Sequence, residues 1–429
     1  MINYIFKKGD TLADIAHQYG IPLRRIESDN NLPPNSTPNI GQAIMIMPPK
    51  QVHIVKEGDT LNSIAENYGV TIIQLLRNNP DISDRNELHT GEELVISYDI
   101  YKNINVMGYS SVFIQEQILR KTLPSLTYLT ILNYRVDPLG NFQDINDRDI
   151  IEIALEYQVA PIMFLSSMTD SGRGSYAVTH SILNDIDIQN KLINNILITL
   201  ELKGYMGLNL AFTHLLQEDL SLYSEFVSRV TDRLNQNGYV VFVTLSPNTL
   251  RFQVGIEYNK PYFEEIGRAT NYVVLITYLW QEGIINLVNQ TTPSYEKEYL
   301  DFVVTQIPPE KIMIGLTRIA YDWELPYFEG ETIGSSLSNS GAIDLATQLG
   351  SNIEFDEATQ TPYFFYHISG AEHYVWFKDA RSINAILDLV DEYDLHGIAV
   401  WNIMFYHSLT WLSIYSKYNV NTYEHMPLT

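Results

Sequence analysis

The sequence predicts an α/β architecture, a (β/α)8 barrel with a small α+β insertion, preceded by two small βααβ modules. Three observations predict it. Residues 3–48 and 52–97 repeat one another. Beyond them, apolar strand-like runs alternate with amphipathic helical patterns, the signature of a parallel sheet with helices outside. After the seventh such run, residues 341–376 break the rhythm with a helix and hairpin-like segments. At 429 residues and 45% hydrophobic content, the chain can bury one large core and one or two small ones.

In the repeat, Lys8-Gly9-Asp10-Thr11-Leu12 recurs as Glu57-Gly58-Asp59-Thr60-Leu61. Ile15-Ala16, Tyr19-Gly20 and Asn30 recur in step as Ile64-Ala65, Tyr68-Gly69 and Asn79, and Gly41 matches Gly91 with one residue inserted. Each copy opens and closes on a β-type segment: Tyr4–Phe6 with Ala43–Ile46, and His53–Val55 with Leu94–Ile96. Between them, Leu12, Ile15, Ala16 and Tyr19 fall at i, i+3, i+4, i+7, which predicts a helix. Asp or Thr before that run is a cap signal, and Gly20 a stop signal. A second short helix follows at Leu23–Ile26 and again at Ile73–Leu76.

This pattern resembles the LysM module, which binds N-acetylglucosamine-containing glycans such as peptidoglycan and chitin. The resemblance implies two sugar-binding loops in each copy. In the first they are Gly9, Asp10, Thr11 and Leu12, with Asn30 through Leu32. In the second they are Gly58, Asp59, Thr60 and Leu61, with Asn79 through Ile82. Backbone groups there would bond the acetamide while apolar side chains cover the sugar. The plainer alternative is that Gly-Asp-Thr only makes a turn and a cap. Pro33, Pro34 and Pro38 stiffen the first copy's loop, so the second copy is the better binding candidate.

Beyond a short link at 98–105, eight strands are expected near 106–110, 128–134, 160–166, 207–212, 240–245, 273–278, 312–316 and 397–402. Amphipathic stretches such as Asp187 to Leu202 and Leu220 to Asn237 supply the helices between. Eight βα units in about 300 residues is the arithmetic of a TIM barrel. The expected boundaries are 1–49 and 50–98 for the modules and 99–429 for the barrel, with the insertion at about 323–378.

Four stretches resemble family 18 glycoside hydrolases, and among them the spore cortical fragment-lytic branch. They are Tyr128–Val136, Lys311–Leu316 with Tyr321–Pro326 after it, Val375–Ser382 and Gly397–Trp401. That branch carries N-terminal LysM repeats, so the resemblance spans essentially the whole chain. It implies a catalytic DxxDxDxE run on the fourth strand, here Gly204 to Thr213. Alternation puts Leu208, Leu210 and Phe212 on one face and Asn209, Ala211 and Thr213 on the other, toward the barrel interior. The four acidic positions hold Met206, Asn209, Ala211 and Thr213, so none is acidic.

Family 18 hydrolysis uses the substrate's own acetamide as nucleophile, outside the two-carboxylate scheme. The last Glu of the run protonates the leaving oxygen, and the Asp before it orients the acetamide. Thr213 and Ala211 replace them. General acid catalysis alone is worth about 10²- to 10⁴-fold. The sixth strand departs too, with Leu279 where the family has an Asp. His214 and Glu218, which follow the run, and Asp170, Asp322 and Glu324, in the loops after strands three and seven, are the candidate substitutes. Tyr109, Tyr134, Tyr278 and Trp401, at strand ends, together with Asp322, make the candidate barrel pocket; Trp401 matches the tryptophan under the family's central sugar. Their plainer role is as barrel-core aromatics.

Charge and composition narrow the partners. A formal net charge of −24 argues against nucleic acid and anionic membranes. No run approaches the roughly 20 apolar residues of a membrane-spanning helix. The chain has no cysteine and no HExxH-type histidine pair, so neither a metal nor any other cofactor is expected. Met1-Ile2-Asn3-Tyr4 lacks a basic, then apolar, leader, which implies cytoplasmic synthesis, with the spore coat, cortex surface or cell wall as destination. Peptidoglycan or GlcNAc oligomers are the expected ligands. Three functions remain open: a non-catalytic glycan binder with the barrel as scaffold, an N-acetylglucosaminidase with relocated acids, and a coat protein that self-assembles or joins other coat proteins.

Overall fold

The computed structural model describes residues 1–83, 88–100, 102–168, 174–212, 214–245, 260–276, 293–328 and 331–423, with backbone alone at 260–261 and 293–295. Each repeat folds as expected. In the first, β1 (Ile2–Ile5) pairs antiparallel with β2 (Ala43–Ile46) around helices Leu12–Tyr19 and Leu23–Asp29. In the second, β3 (Gln51–Ile54) and β4 (Glu93–Ser97) enclose helices Leu61–Tyr68 and Ile72–Asn78. The first helices start alike because Thr11 and Thr60 accept the amides of Asp14 and Ser63, each at 3.1 Å, and Gly20 and Gly69 end them in the left-handed region.

Eight parallel strands follow: β5 (Lys102–Ser111), β6 (Tyr128–Arg135), β7 (Ala160–Ser166), β8 (Gly207–Ala211), β9 (Val240–Leu245), β10 (Tyr272–Leu275), β11 (Ile312–Thr317) and, after the insertion, β17 (Gly397–Trp401). Each pairs with the next, and β17 pairs back onto β5, so the sheet closes. Between β11 and β17 stands the insertion, a five-stranded antiparallel sheet. Its strands are β12 (Ile319–Leu325), β13 (Ser335–Ser338), β14 (Glu354–Asp356), β15 (Thr361–Ile368) and β16 (Ala371–Trp376). It therefore begins a few residues earlier than the sequence reading placed it. Helix Asn339–Leu349 covers the face formed by Ala320, Phe364 and Val375. A short last strand, β18 (Tyr418–Val420), adds to the start of β5.

Period-two alternation divides the core into two layers. Leu208, Leu210 and Phe212 pack outward with Val227, Val230 and Phe226 of helix Leu220–Asn235. Ala211 points inward with Met107, Tyr109, Ile162, Phe164 and Phe242, filling the barrel.

Both repeats are docked on the barrel. Arg25 bonds Asp29 within its own module at 3.0 Å and reaches Tyr98 at 2.5 Å and the Asn78 carbonyl at 3.4 Å, joining the first module to the second. The buried Arg77 donates to the carbonyls of Pro124 at 2.7 Å and Val420 at 2.9 Å. The first module also meets the insertion, where the Ile353 amide donates to Ile40 at 2.8 Å. Gly41 is required there: its φ is +87°, and a Cβ would lie 1.8 Å from the Ile353 oxygen.

Candidate functional site

The fourth strand holds the barrel's central polar group. Asn209 is fully buried, donates to the Tyr109 hydroxyl at 2.9 Å and accepts from Thr244 at 2.7 Å. Its carboxamide is therefore spent on β5 and β9. Burial raises the Tyr109 pKa well above that of a free phenol, so the hydroxyl stays protonated. One step nearer the C-terminal end of the strand, Ala211 is 3% exposed and presents only a methyl group. Met206 lies at the opposite, N-terminal end of β8, against the inner core. Thr213, Tyr278, Leu279 and Asp170 lie outside the described residues.

Two of the four aromatics named from the sequence lie side by side. The Tyr109 ring sits 5.2 Å from Trp401 and 6.0 Å, edge-on, from Phe164, so Tyr109 and Trp401 share the inner layer. Tyr134 does not belong there. Pairing between β6 and β7 shifts register between Ile131 and Tyr134, which reverses the alternation and puts Tyr134 opposite Leu165 in the outward row. Its hydroxyl donates to Asp147 at 2.6 Å, where Tyr205 donates at 2.5 Å and Lys203 at 2.7 Å. Asn133 replaces it toward the mouth and accepts from Ser166 at 2.8 Å.

Asp322 is likewise placed elsewhere. It stands on the insertion sheet and accepts from Tyr366 at 2.6 Å, with His373 Nδ1 at 3.0 Å. Strand alternation turns Asp322 to the helix-covered face and Tyr321 and Trp323 to the other, where Trp376 and Tyr374 continue an aromatic row. Of the other substitutes, His214 packs against Tyr176 with ring centres 5.4 Å apart, while Glu218 and Glu324 are exposed. Among the described residues, the hydrogen bonds of the Asn209, Tyr109 and Thr244 side chains connect them to one another and to no carboxylate.

Sequence reasoning missed Thr244, Asn133 and the rim of the mouth. Thr244 was findable, because it follows the inward Phe242 by two residues. At the rim, Ile403 donates to the Tyr109 carbonyl at 2.9 Å and Ser111 to the Met404 sulfur at 3.3 Å. These contacts bring the loops after β17 and β5 together, and each carries an exposed phenylalanine, Phe405 at 71% and Phe113 at 85%.

In the repeats, Asn30 and Asn79 have the same structural role. Asn79 donates to the carbonyls of Leu75 and Val95 and accepts the Val95 amide at 2.8 Å; Asn30 does the same with Ile26 and Met45. Both are buried, as are Leu12 and Ile82, so these four side chains hold the module together. The exposed parts are Gly9, Thr11, Gly58 and Thr60, with Asp10, Asp59 and Leu61 partly covered. Asp10 accepts from Tyr4 at 2.7 Å and the Lys7 amide at 2.8 Å. Asp59 accepts the Lys56 amide and faces His53 Nε2, each at 2.7 Å. These bonds hold both carboxyls below the usual aspartate range: the Tyr4 hydroxyl is the leading cause for Asp10 and the Lys56 amide for Asp59. The second loops are tied to the barrel, Asn31 through Ser408 at 3.0 Å and Asp81 through Lys121 at 2.7 Å.

Among the described residues, no group of three or more His, Asp or Glu is placed to hold a metal, and no helix is long and apolar enough to cross a membrane.

Comparison with known proteins agrees with this architecture. The family model described as glycosyl hydrolases family 18 matches residues 167–405, which includes the fourth strand, and the LysM domain matches residues 4–46 and 53–97. The cortical fragment-lytic enzyme of Bacillus anthracis is 31% identical over 407 residues, 92% of this chain and 94% of the relative. The enzyme of the same name from Bacillus subtilis (strain 168) is 30% identical over 433 residues, 97% of this chain and 98% of the relative. The crystal structure of the Bacillus megaterium QM B1551 spore cortex-lytic enzyme SleL superposes with a TM-score of 0.79 at 30% identity, covering 98% of both chains.

Proposed function

Because the chain belongs to glycosyl hydrolases family 18 and carries two LysM domains, we propose that it binds peptidoglycan or related GlcNAc glycans in the spore envelope or wall without hydrolysing them. The observation that carries this is the inward methyl of Ala211, beside an Asn209 already committed to Tyr109 and Thr244. A methyl group neither orients an acetamide nor balances the positive charge that develops on it. Trp401, half-buried with its ring 5.2 Å from that of the buried Tyr109, still offers an aromatic face on which a sugar can stack. Glycan capture is assigned to the exposed Gly58–Leu61 loop, with Gly9–Leu12 as its weaker counterpart.

The test is incubation of the full chain with decoated spores and purified cortex fragments, followed by chromatography of the soluble muropeptides. Saturable binding with no release is the expected result, and release at ordinary enzyme concentrations would overturn it.

A second reading has an observation of its own. Proteins named cortical fragment-lytic enzymes match nearly the whole chain at 30–31% identity. On that reading a displaced acid supplies the proton, and release should vanish when His214 or one of the nearby acids is replaced. The third possibility, assembly into a coat layer alone or with other coat proteins, is tested by light scattering of the purified chain.

A further inference from the structure

A cavity of about 630 Å³ lies away from the barrel mouth, where the two LysM modules meet the barrel helix Ser408–Tyr415. That volume is typical of small-ligand sites. Arg24 and Arg25 stand on the wall formed by the first module, Glu92 and Glu93 on the wall formed by the second, and Arg77 lines it between them.

Several of the charges that line the cavity are spent on neighbours. Arg25 pairs with Asp29 at 3.0 Å, and Asp81 receives Lys121 at 2.7 Å and Ser28 at 3.2 Å. Three are not. Arg24 and Glu93 are exposed on opposite walls, and neither has an ion pair among the described residues. Arg77 is 6% exposed, and its Nε and Nη2 meet only the carbonyls of Pro124 and Val420. A buried guanidinium without a carboxylate is costly, and the cost falls when an anion arrives. Burial accordingly pushes the Arg77 pKa down.

The unspent charges form a bipolar site, cationic at Arg24 and Arg77 and anionic at Glu93. A neutral sugar has no use for that arrangement; a chain carrying both a carboxylate and an amine does. We propose that this cavity binds the short zwitterionic peptide arm of peptidoglycan, with its carboxylate at Arg77 and Arg24 and its amine toward Glu93. The inference rests on the glycan-binding function proposed above and adds the peptide as a second recognised element.

Calorimetry of the full chain with three probes tests it: a disaccharide tetrapeptide, the same disaccharide without its peptide, and a GlcNAc oligomer. The peptide-bearing probe is expected to bind about five- to tenfold tighter than the stripped one. Arg24→Glu, at the exposed rim, and Arg77→Met should each abolish that preference while leaving the GlcNAc oligomer affinity unchanged. A preference that survives Arg24→Glu in a folded chain overturns the inference. So does a wild-type chain that binds the GlcNAc oligomer but treats both disaccharides alike, and that result leaves the glycan-binding function standing. Failure to bind any of the three overturns both.

Discussion

Ala211 and Asn79 show how much one side chain decides. At Ala211 the fold supplies an inward strand position among aromatics, and the side chain there is a methyl group. If lost acids alone silence the barrel, then Ala211→Asp with Thr213→Glu should raise muropeptide release above the wild-type background. The gain should reach the 10²- to 10⁴-fold scale of general acid catalysis. A folded double variant that stays silent would show that the mouth is altered beyond these two positions. Asn79 has the opposite character, because its carboxamide makes three buried bonds to the second module's own backbone. Asn79→Ala strands those groups, so chemical unfolding should show a loss of about 2–4 kcal/mol. Glycan affinity measured well below the transition should change little. A selective loss of affinity at unchanged stability would give this asparagine the direct sugar contact that its hydrogen bonds argue against.

At the scale of elements, what the sequence made legible follows from periodicity, and what it hid follows from breaks in periodicity. The βααβ repeat and the eight barrel strands could be read because local patterns persist over whole elements. The inward face of β8 could be read for the same reason, since five consecutive buried residues alternate without a bulge. Tyr134 was misplaced because a register shift inside β6 has no sequence mark, and one residue of slip exchanges the two faces. Asp322 was misplaced because β12 turns it to the helix-covered face and its neighbours Tyr321 and Trp323 to the other, which depends on where β12 begins. The docking of the modules was hidden for another reason: it rests on contacts between residues from 40 to more than 300 positions apart. Gly41 concentrates that dependence, since any Cβ there collides with the Ile353 backbone. Gly41→Ala should detach the first module from the insertion, seen as faster amide exchange at Ile353 and earlier proteolysis near residue 50, with the barrel's own melt preserved. In contrast, Asp59→Ala removes the acceptor that shapes the second Gly-Asp-Thr turn, and should weaken GlcNAc oligomer binding severalfold without undocking anything.

For the whole molecule, two histidines that flank β17, the strand that closes the barrel, contribute to acid sensitivity. His396 lies 4.1 Å from the Tyr272 ring and 3.1 Å from Asn105 Nδ2. His407 is 6% exposed beneath the loop after the strand, with Nδ1 2.9 Å from Thr410 and Arg318 as a nearby cation. Burial is the leading cause that pushes His396 down to about 4 and His407 to about 3, from the ordinary 6.5. A depressed histidine pKa means that the unfolded chain binds protons the folded chain refuses, so stability rises with pH across the window. Their contribution is full above about pH 6.5, the unfolded value, and is lost progressively as pH falls toward 4 and then 3. The net charge of −24 works the other way, because partial neutralisation relieves self-repulsion as pH falls. Comparison of variants removes that shared effect. His407→Gln keeps a polar group near Thr410 but cannot titrate, so the difference between its melting temperature and the wild type's should shrink, or change sign, between pH 7 and pH 4. Parallel melting curves over that range would place the acid response elsewhere in the molecule.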